Sequence, residues 1–598
     1  HTFTVMKKFL LHTAAGIVSL TVFFIVAPIV LLLFFGLVSM CSGSKKDIPD
    51  GAVLRISLNS TISERAGEAN PLEEILNNDG NDSYGLDELI TAIAEAKSNG
   101  KIKGIYLEGG SLDCADIPAL QELRAALLNF RQSGKFIFSY AEQMGQHGYY
   151  VASVADTIML NPQGGIDWHG LCSNHMFFTE LMEKLGVRMQ VFKVGTYKSA
   201  VEPFILTEMS DANREQTESY LNSLWDQIVR DVAANRKSLS EDSLRSYATR
   251  VLVLQRAELF ETLGMTDATG YQDEAREWLR RHTDNEVRFV SPKEVASLVE
   301  KTSASDSHVA VYYACGDIVD EPSKGALARN SEEIVGHKVV EDLDALANDD
   351  NVKAVVLRIN SGGGSAYASE QMWRAIQLLR KKKPVVVSMG GMAASGGYYM
   401  SCATDYIVAD ETTITGSIGI FGMVPDPTEL VTEKIGLHFD VALTNENADL
   451  GRMGRPLSPT ECAVFQRYVE EGYDLFTRRV ADGRHMTQAA VDSIGQGRVW
   501  TGQQALALGL VDKLGTLNDA IAKAKELAGK DAEIEGCVAY PASKPFYETM
   551  LDDVKGDNYM ERKVRRVLGN YYKPLQTIER MQQGMHLQAA MPYVLVIE

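Results

Sequence analysis

The chain has 598 residues, 45% hydrophobic and 23% charged, the mix of a globular protein rather than a disordered one, and its length predicts about two to four domains. Lys+Arg is 59 against 79 Asp+Glu, a formal net charge of -20, which argues against nucleic acid as the main partner because phosphate binding needs a basic face. The 7 cysteines are scattered without a CxxC pair, so neither a zinc ribbon nor a redox dithiol is expected, and they read as small buried residues.

Residues 1–8 read as a tail and residues 9–40 as a transmembrane anchor. No Asp, Glu, Lys or Arg falls between Phe9 and Met40, and Ile17 to Val38 is almost wholly apolar. About 20 such residues cross a bilayer, and a cleaved signal peptide has an apolar core of only about 7–15, so an uncleaved anchor is expected. Pro28 is tolerated inside a lipid-embedded helix. Lys7 and Lys8 before the span and Lys45 and Lys46 after it leave the positive-inside signal nearly balanced. A lipoprotein would use Cys41, but Met40 fits the small residue preferred before such a cysteine poorly.

The remainder is one unit written twice, residues 48–300 and 308–540, with the polar stretch 301–307 as linker and 541–598 as an extension. Ile102-Lys103-Gly104-Ile105-Tyr106-Leu107 matches Val352-Lys353-Ala354-Val355-Val356-Leu357. Gly148-Tyr149-Tyr150 matches Gly397-Tyr398-Tyr399 at an offset of 249. Asp231–Arg236 matches Arg479–Arg484, and Leu263–Asp267 matches Leu508–Asp512. Four matches in one order indicate a tandem duplication of a large domain.

Each copy alternates strands and helices. Strands are predicted at Ile102–Leu107, Phe136–Ser139 and Thr157–Leu160, and again at Val352–Ile359, Val385–Ser388 and Tyr406–Val408. Helices are predicted at Ile117–Gln132 and Ala366–Lys382. This order predicts an α/β fold with a largely parallel sheet, whose sites form beyond the carboxyl ends of strands. Two loops lie there in the second copy. Asn360-Ser361-Gly362-Gly363-Gly364-Ser365 reads as a flexible turn or as a loop aiming amides at an anion, though no Gly-Lys-Ser/Thr follows for a nucleotide.

The second loop, Met389 to Tyr399, holds Ser395 among small residues at a strand-to-helix turn. That is the logic of a nucleophile elbow, without its G-x-S-x-G motif; the small residues alone could equally serve tight packing. In the first copy Gln146 stands where Ser395 does, and Glu108–Asp113 replaces the glycine loop. A serine nucleophile needs a base. No histidine motif offers one: His147, His169, His337, His438 and His485 read as surface or core residues. Lys198 lies in Gly195-Thr196-Tyr197-Lys198-Ser199-Ala200-Val201-Glu202-Pro203-Phe204, while the counterpart near Asn445-Glu446-Asn447 has no lysine. Taken alone, a loop lysine is a solvated charge.

Those ten residues resemble, with Ser388-Met389-Gly390, Ala393–Tyr399 and Thr415-Gly416-Ser417-Ile418-Gly419-Ile420-Phe421-Gly422, the signal peptide peptidase A (protease IV) family in its long, duplicated bacterial form. The tract Val480–His485 with Gly497–Gly502 fits too, and the resemblance spans roughly residues 9–540. Gly362 departs from it, standing where the family often has proline. The resemblance implies a tandem Clp-protease/crotonase-like α/β fold, a Ser-Lys dyad, and a homo-oligomer, a homotetramer by this likeness, in the bacterial inner membrane with its repeats facing the periplasm. It assigns Ser395 as nucleophile, Lys198 as general base, Gly364 and Gly396 as oxyanion hole, and Ser417 as the group orienting the lysine. It implies no cofactor and no metal.

The activity expected is a membrane-anchored serine endopeptidase acting on cleaved signal peptides and other apolar segments. A crotonase-like acyl-CoA enzyme sharing the backbone oxyanion hole, and a membrane scaffold with a degenerate site, are the alternatives. From Pro541 onward no motif is evident; Glu561–Arg566 reads as a charged, solvated helix.

Overall fold

A computed structural model describes residues 47–65, 82–542 and 588–590, except 115, 253, 284–285, 323–331 and 453. The expected anchor at 9–40 and the expected helix at 561–566 lie outside the described residues. No helix of the described residues is long and apolar enough to cross a membrane. From Gly51 onward, both repeats fall in one compact unit.

The uninterrupted β-branched runs form central strands buried on both faces, as parallel sheets require. In Val352–Ser361 eight of ten positions are buried. The first repeat builds a six-stranded sheet in the order Ala268–Thr269, Thr157–Leu160, Phe136–Ala141, Ile102–Glu108, Ala52–Ser57, Arg288–Val290. All its pairings are parallel. Six strands of the second repeat's eight-stranded sheet repeat that order, Lys513–Leu514, Tyr406–Ala409, Val385–Ala394, Val352–Ser361, His308–Cys315, Gly536–Tyr540, with these pairings again parallel; Ile414–Gly416 and Val499–Thr501 add an antiparallel pair. The duplication read from short matches is thus a duplication of topology.

The helices between strands follow from their periodicity. Ala366–Arg380 buries Ala368, Met372, Ala375, Ile376 and Leu379, one face of a 3.6-residue helix. Ser365 starts it, accepting the Ala368 amide hydrogen at 3.1 Å.

Two segments expected as loops are partly strand. The strand Val385–Ala394 runs six residues beyond its expected end at Ser388 because Met392–Ala394 pair with Ile414–Gly416. Gly363–Ser365, inside the expected glycine turn, is a strand beside Ile318. Glycines hid both, since they add no apolar pattern to read.

A third, mixed sheet crosses the repeats. Arg188–Lys193 of the first repeat runs antiparallel to Phe421–Asp426 of the second over six residue pairs. The order continues through Gln588–Ala590 to Gly363–Ser365, Asp317–Val319 and Glu333–Val335. A buried ion cluster adds a second tie: Arg358 in the second repeat contacts Glu64 at 2.9 Å and Glu122 at 2.8 Å, both from the first.

Candidate active site

The strand Val385–Ala394 ends at a backbone corner. Ser395 has φ 53 and ψ -112, a conformation few non-glycine residues adopt. Its amide donates to Gly416 O at 2.8 Å, and its carbonyl accepts from the Tyr399 amide at 2.8 Å in the helix Gly396–Ser401. The turn holds the Ser395 side chain fully buried and fixed.

Lys198 comes from the other repeat. It precedes the short helix Ser199–Phe204, whose Glu202 is buried and accepts from the Ser210 amide, the Ser210 hydroxyl and Asn213 Nδ2 at 3.2, 2.6 and 2.9 Å. Gln216 Nε2 donates to Tyr197 O at 3.0 Å and to Ser199 Oγ at 2.9 Å, and Gln216 Oε1 accepts from the Val499 amide. The lysine loop is therefore moored to both repeats.

These constraints bring Lys198 Nζ within 2.8 Å of Ser395 Oγ. The amine also donates to Ser417 Oγ at 3.0 Å and Ser417 O at 3.3 Å. Ser417 is itself held at φ 49 by its amide hydrogen bond to Arg498 O at 2.7 Å. Lys198 is fully buried. Burial, with no compensating carboxylate, pushes the amine well below the usual lysine range. The stem runs between two glycines: a Cβ on Gly497 would lie 2.6 Å from Lys198 Cβ, and one on Gly419 3.1 Å from its Cδ.

Gly363 and Gly364 face opposite ways. A Cβ on Gly364 would meet Ile318 O at 2.0 Å, whereas one on Gly363 would lie 2.6 Å from the Gly396 amide nitrogen. Both hold positive φ, 96 and 155, so these crowded positions take glycine. The five expected site residues, Ser395, Lys198, Ser417, Gly364 and Gly396, lie in one buried region.

In the first repeat Gln146 is structural. Its Nε2 donates to Gly170 O at 2.9 Å, and its Oε1 accepts from the amides of His169 and Gly170 at 3.2 and 3.0 Å.

Sequence reasoning missed the clamp of Gly419 and Gly497, and Gly363 as a lining residue. It also missed Gln588–Ala590, which pairs against Gly363–Ser365. Gly419 and Gly497 lay within recognised tracts; the tail strand gave no signal.

A hydroxyl on a strained strand-to-helix corner with a buried amine at hydrogen-bond distance is an arrangement suited to a serine-type peptidase. The chain belongs to peptidase family S49, which matches it twice, at residues 129–286 and 377–531. Residues 321–409 also match the Clp protease family, so the repeats are duplicated domains of Clp-protease-like α/β fold. Protease 4 of Haemophilus influenzae is 35% identical over 531 residues, covering 83% of each chain. Protease 4 of Salmonella typhi is 39% identical over 456 residues, 74% of this chain and 72% of that one. The chloroplastic serine protease SPPA of Arabidopsis thaliana is 31% identical over 489 residues, 80% of this chain and 69% of that one.

Proposed function

We propose that this serine peptidase is a membrane-anchored endopeptidase that degrades cleaved signal peptides by a Ser-Lys dyad. The observation that carries the mechanism is the 2.8 Å contact between a buried, acid-free lysine amine and Ser395 Oγ. A neutral amine accepts a proton, and the free lysine value of about 10.4 would leave almost none neutral at pH 7. Burial lowers that value and so favours the neutral form.

Lys198 takes the Ser395 proton as Oγ attacks the scissile carbonyl. The amides of Gly364 and Gly396 receive the oxyanion, each worth about 3 kcal/mol in the transition state. Lys198 then protonates the leaving amine, and the ester on Ser395 is hydrolysed by a water activated in the same way. Ser417 fixes the amine on the line to Oγ. Strand edges at Gly363–Ser365 and Phe421–Asp426 suit an extended peptide, with Ile318 and Phe192 in the adjoining apolar core favouring apolar segments. The apolar run Ile17–Val38 supplies the anchor in the bacterial inner membrane, with the repeats on the periplasmic side.

The partner beyond substrate is a further copy of the chain, four by family resemblance. Gly436-Leu437-His438 aligns with Gly186-Val187-Arg188, so 437–443 is the counterpart of residues 187–193, which hold the inter-repeat strand Arg188–Lys193. Here it forms no strand, and its alternating Leu437, Phe439, Val441 and Leu443 are 45–55% exposed. The pairing that joins repeats inside one chain leaves this equivalent strand for the next copy.

A serine-directed covalent reagent tests the chemistry. It is expected to label Ser395 in the parent and not in Lys198→Arg, with peptide turnover in detergent following the same pattern. Peptide turnover without labelling at Ser395 would discard the dyad.

A further inference from the structure

The tract Gly495–Trp500 of the second repeat wraps the first-repeat loop that carries Lys198. The Tyr197 amide donates to Gln496 O at 2.9 Å, and Gly497 lies against the base of the lysine stem. Arg498 follows, and both its main chain and its side chain bear on the amine. Its carbonyl oxygen accepts the Ser417 amide hydrogen at 2.7 Å, and Ser417 Oγ accepts from Lys198 Nζ at 3.0 Å. Its side chain crosses to the first repeat. The guanidinium carbon lies 4.7 Å from the Tyr197 ring centroid and 4.5 Å from that of Trp500. Nη1 donates to Tyr197 Oη at 3.1 Å and meets Glu215 Oε1 at 2.9 Å, while Tyr197 Oη donates to Glu215 Oε2 at 3.2 Å.

Tyr197 is the residue before Lys198. The guanidinium thus holds the base of the lysine stem, and the carbonyl holds the hydroxyl that meets its tip. A lysine stem is flexible, and fixing both ends confines Nζ to the line toward Ser395 Oγ. Lys198, Ser395 and Ser417 have no exposure, whereas the Arg498 side chain is 20% exposed. The stacked arginine is therefore the layer of this contact between repeats that meets solvent. The first repeat supplies a comparison. At the spacing that relates Asp231–Arg236 to Arg479–Arg484, Arg250 stands where Arg498 does. Arg250 stacks on Tyr247 of its own repeat, and Val251 beside it is exposed, whereas Val499 beside Arg498 is buried.

We propose that Arg498 is a positioning residue of the peptidase reaction, clamping Tyr197 and Ser417 so that Lys198 Nζ stays shielded from water and in line with Ser395 Oγ. This rests on the Ser-Lys mechanism above. Arg498 takes no proton; its contacts are with Tyr197, Trp500, Glu215 and Ser417. Loss of the guanidinium frees the Lys198 loop, which displaces the base and admits water to it. The other charged groups on the elements around the amine are Glu202 on its own short helix, Lys193 on the strand paired with Phe421, Glu215, and Asp492, which accepts from Tyr473 Oη and Gln496 Nε2. Nζ itself contacts oxygens of Ser395 and Ser417, so its titration reports its hydration.

The test compares the parent with Arg498→Met, Tyr197→Phe, the double variant and Arg250→Met in detergent, by peptide turnover across pH and by covalent labelling of Ser395. Arg498→Met is expected to lower kcat at pH 7 about 100-fold, as a displacement of about 1 Å does, with KM within about twofold. The rise of its activity with pH should move upward, toward the free lysine value of about 10.4, because a hydrated amine holds its proton more tightly. Tyr197→Phe keeps the stack and removes the hydroxyl; it should lose about fivefold with a smaller shift in the same direction, and the double variant should be no worse than Arg498→Met. Arg250→Met should match the parent. A kcat for Arg498→Met that falls only with its folded fraction, at the parent's pH profile, makes the arginine structural and overturns the inference. Additive losses in the double variant, or an equal loss in Arg250→Met, overturn it too. Should Arg498→Met fail to fold, Tyr197→Phe decides, and an unshifted profile there overturns the inference. Each of these outcomes leaves the Ser-Lys mechanism standing. A parent with neither turnover nor Ser395 labelling removes the mechanism and the inference together.

Discussion

Lys198 sits fully buried without a carboxylate partner, and that exacts a cost in folding. Its native pKa is depressed, so between that value and about 10.4 the unfolded chain binds the proton that the native chain refuses. Stability therefore rises with pH across that window, and the burden is greatest at low pH. Lys198→Met is expected to raise the melting temperature at pH 7, with the gain shrinking toward pH 10.5. Activity of the parent should climb with pH through the same depressed value, as neutral amine accumulates. A melting temperature unchanged by Lys198→Met at every pH would mean that the amine is solvated. Lys198→Arg should lose about four orders of magnitude in kcat/KM, because guanidinium cannot accept a proton. Gln146→Ala should leave kcat/KM within about twofold while costing about 1–3 kcal/mol of stability, since it strands the amides of His169 and Gly170. Denaturant melts beside peptide assays separate these outcomes.

At the scale of the element, the glycine strand Gly363–Ser365 is the wall most sensitive to change. Gly363→Val would put a branched side chain where Ala589 O lies, 2.0 Å from the new Cβ. Peptide turnover should fall about 100-fold, as a displacement of about 1 Å at a reacting centre does. The strand was not legible as one. The sheet strands were, because Val352–Leu357 and Val385–Val387 carry unbroken β-branched runs. Gly363–Ser365 has no apolar pattern, and its pairing depends on Ile318 and on residues more than 200 positions away. The Ser395–Lys198 pair divides likewise. Ser395 was visible as a residue at a strand-to-helix corner; Lys198 became visible only through family likeness, since no spacing rule links positions 197 apart. The exposed counterpart strand yields its own expectation. Phe439→Glu should reduce the assembled mass, measured by light scattering, while Ser395 still takes a covalent label. An unchanged mass would place the contact between copies elsewhere.

Across the whole molecule, buried charge ties the halves together. Asp410 is buried near Glu122, and loss of hydration followed by that neighbour's charge pushes its carboxyl well above the usual range. A raised native pKa means stability present at low pH and lost as pH rises through the raised value. Asp410→Asn is therefore expected to stabilise the protein more at pH 8 than at pH 5, by thermal melts at both. Arg358→Ala should cost about 3–5 kcal/mol, because it leaves Glu64 and Glu122 facing each other without their cation. Removal of residues 1–46 should leave a folded, water-soluble, active protein, since the three sheets and the Lys198–Ser395 pair lie beyond that point. A truncated chain that aggregates in water would show that the core extends into the apolar segment.

Because the amine is held by one repeat and the hydroxyl by the other, the reaction order of assembly is built into the chain. Two separate domains meeting across an interface would form their catalytic pair at a rate set by concentration, and dilution would dissolve it. Here the linker 301–307 and the six residue pairs between Arg188–Lys193 and Phe421–Asp426 make the encounter unimolecular. The first-order rate constant for acylation of Ser395 should accordingly be the same at nanomolar and micromolar protein under saturating reagent.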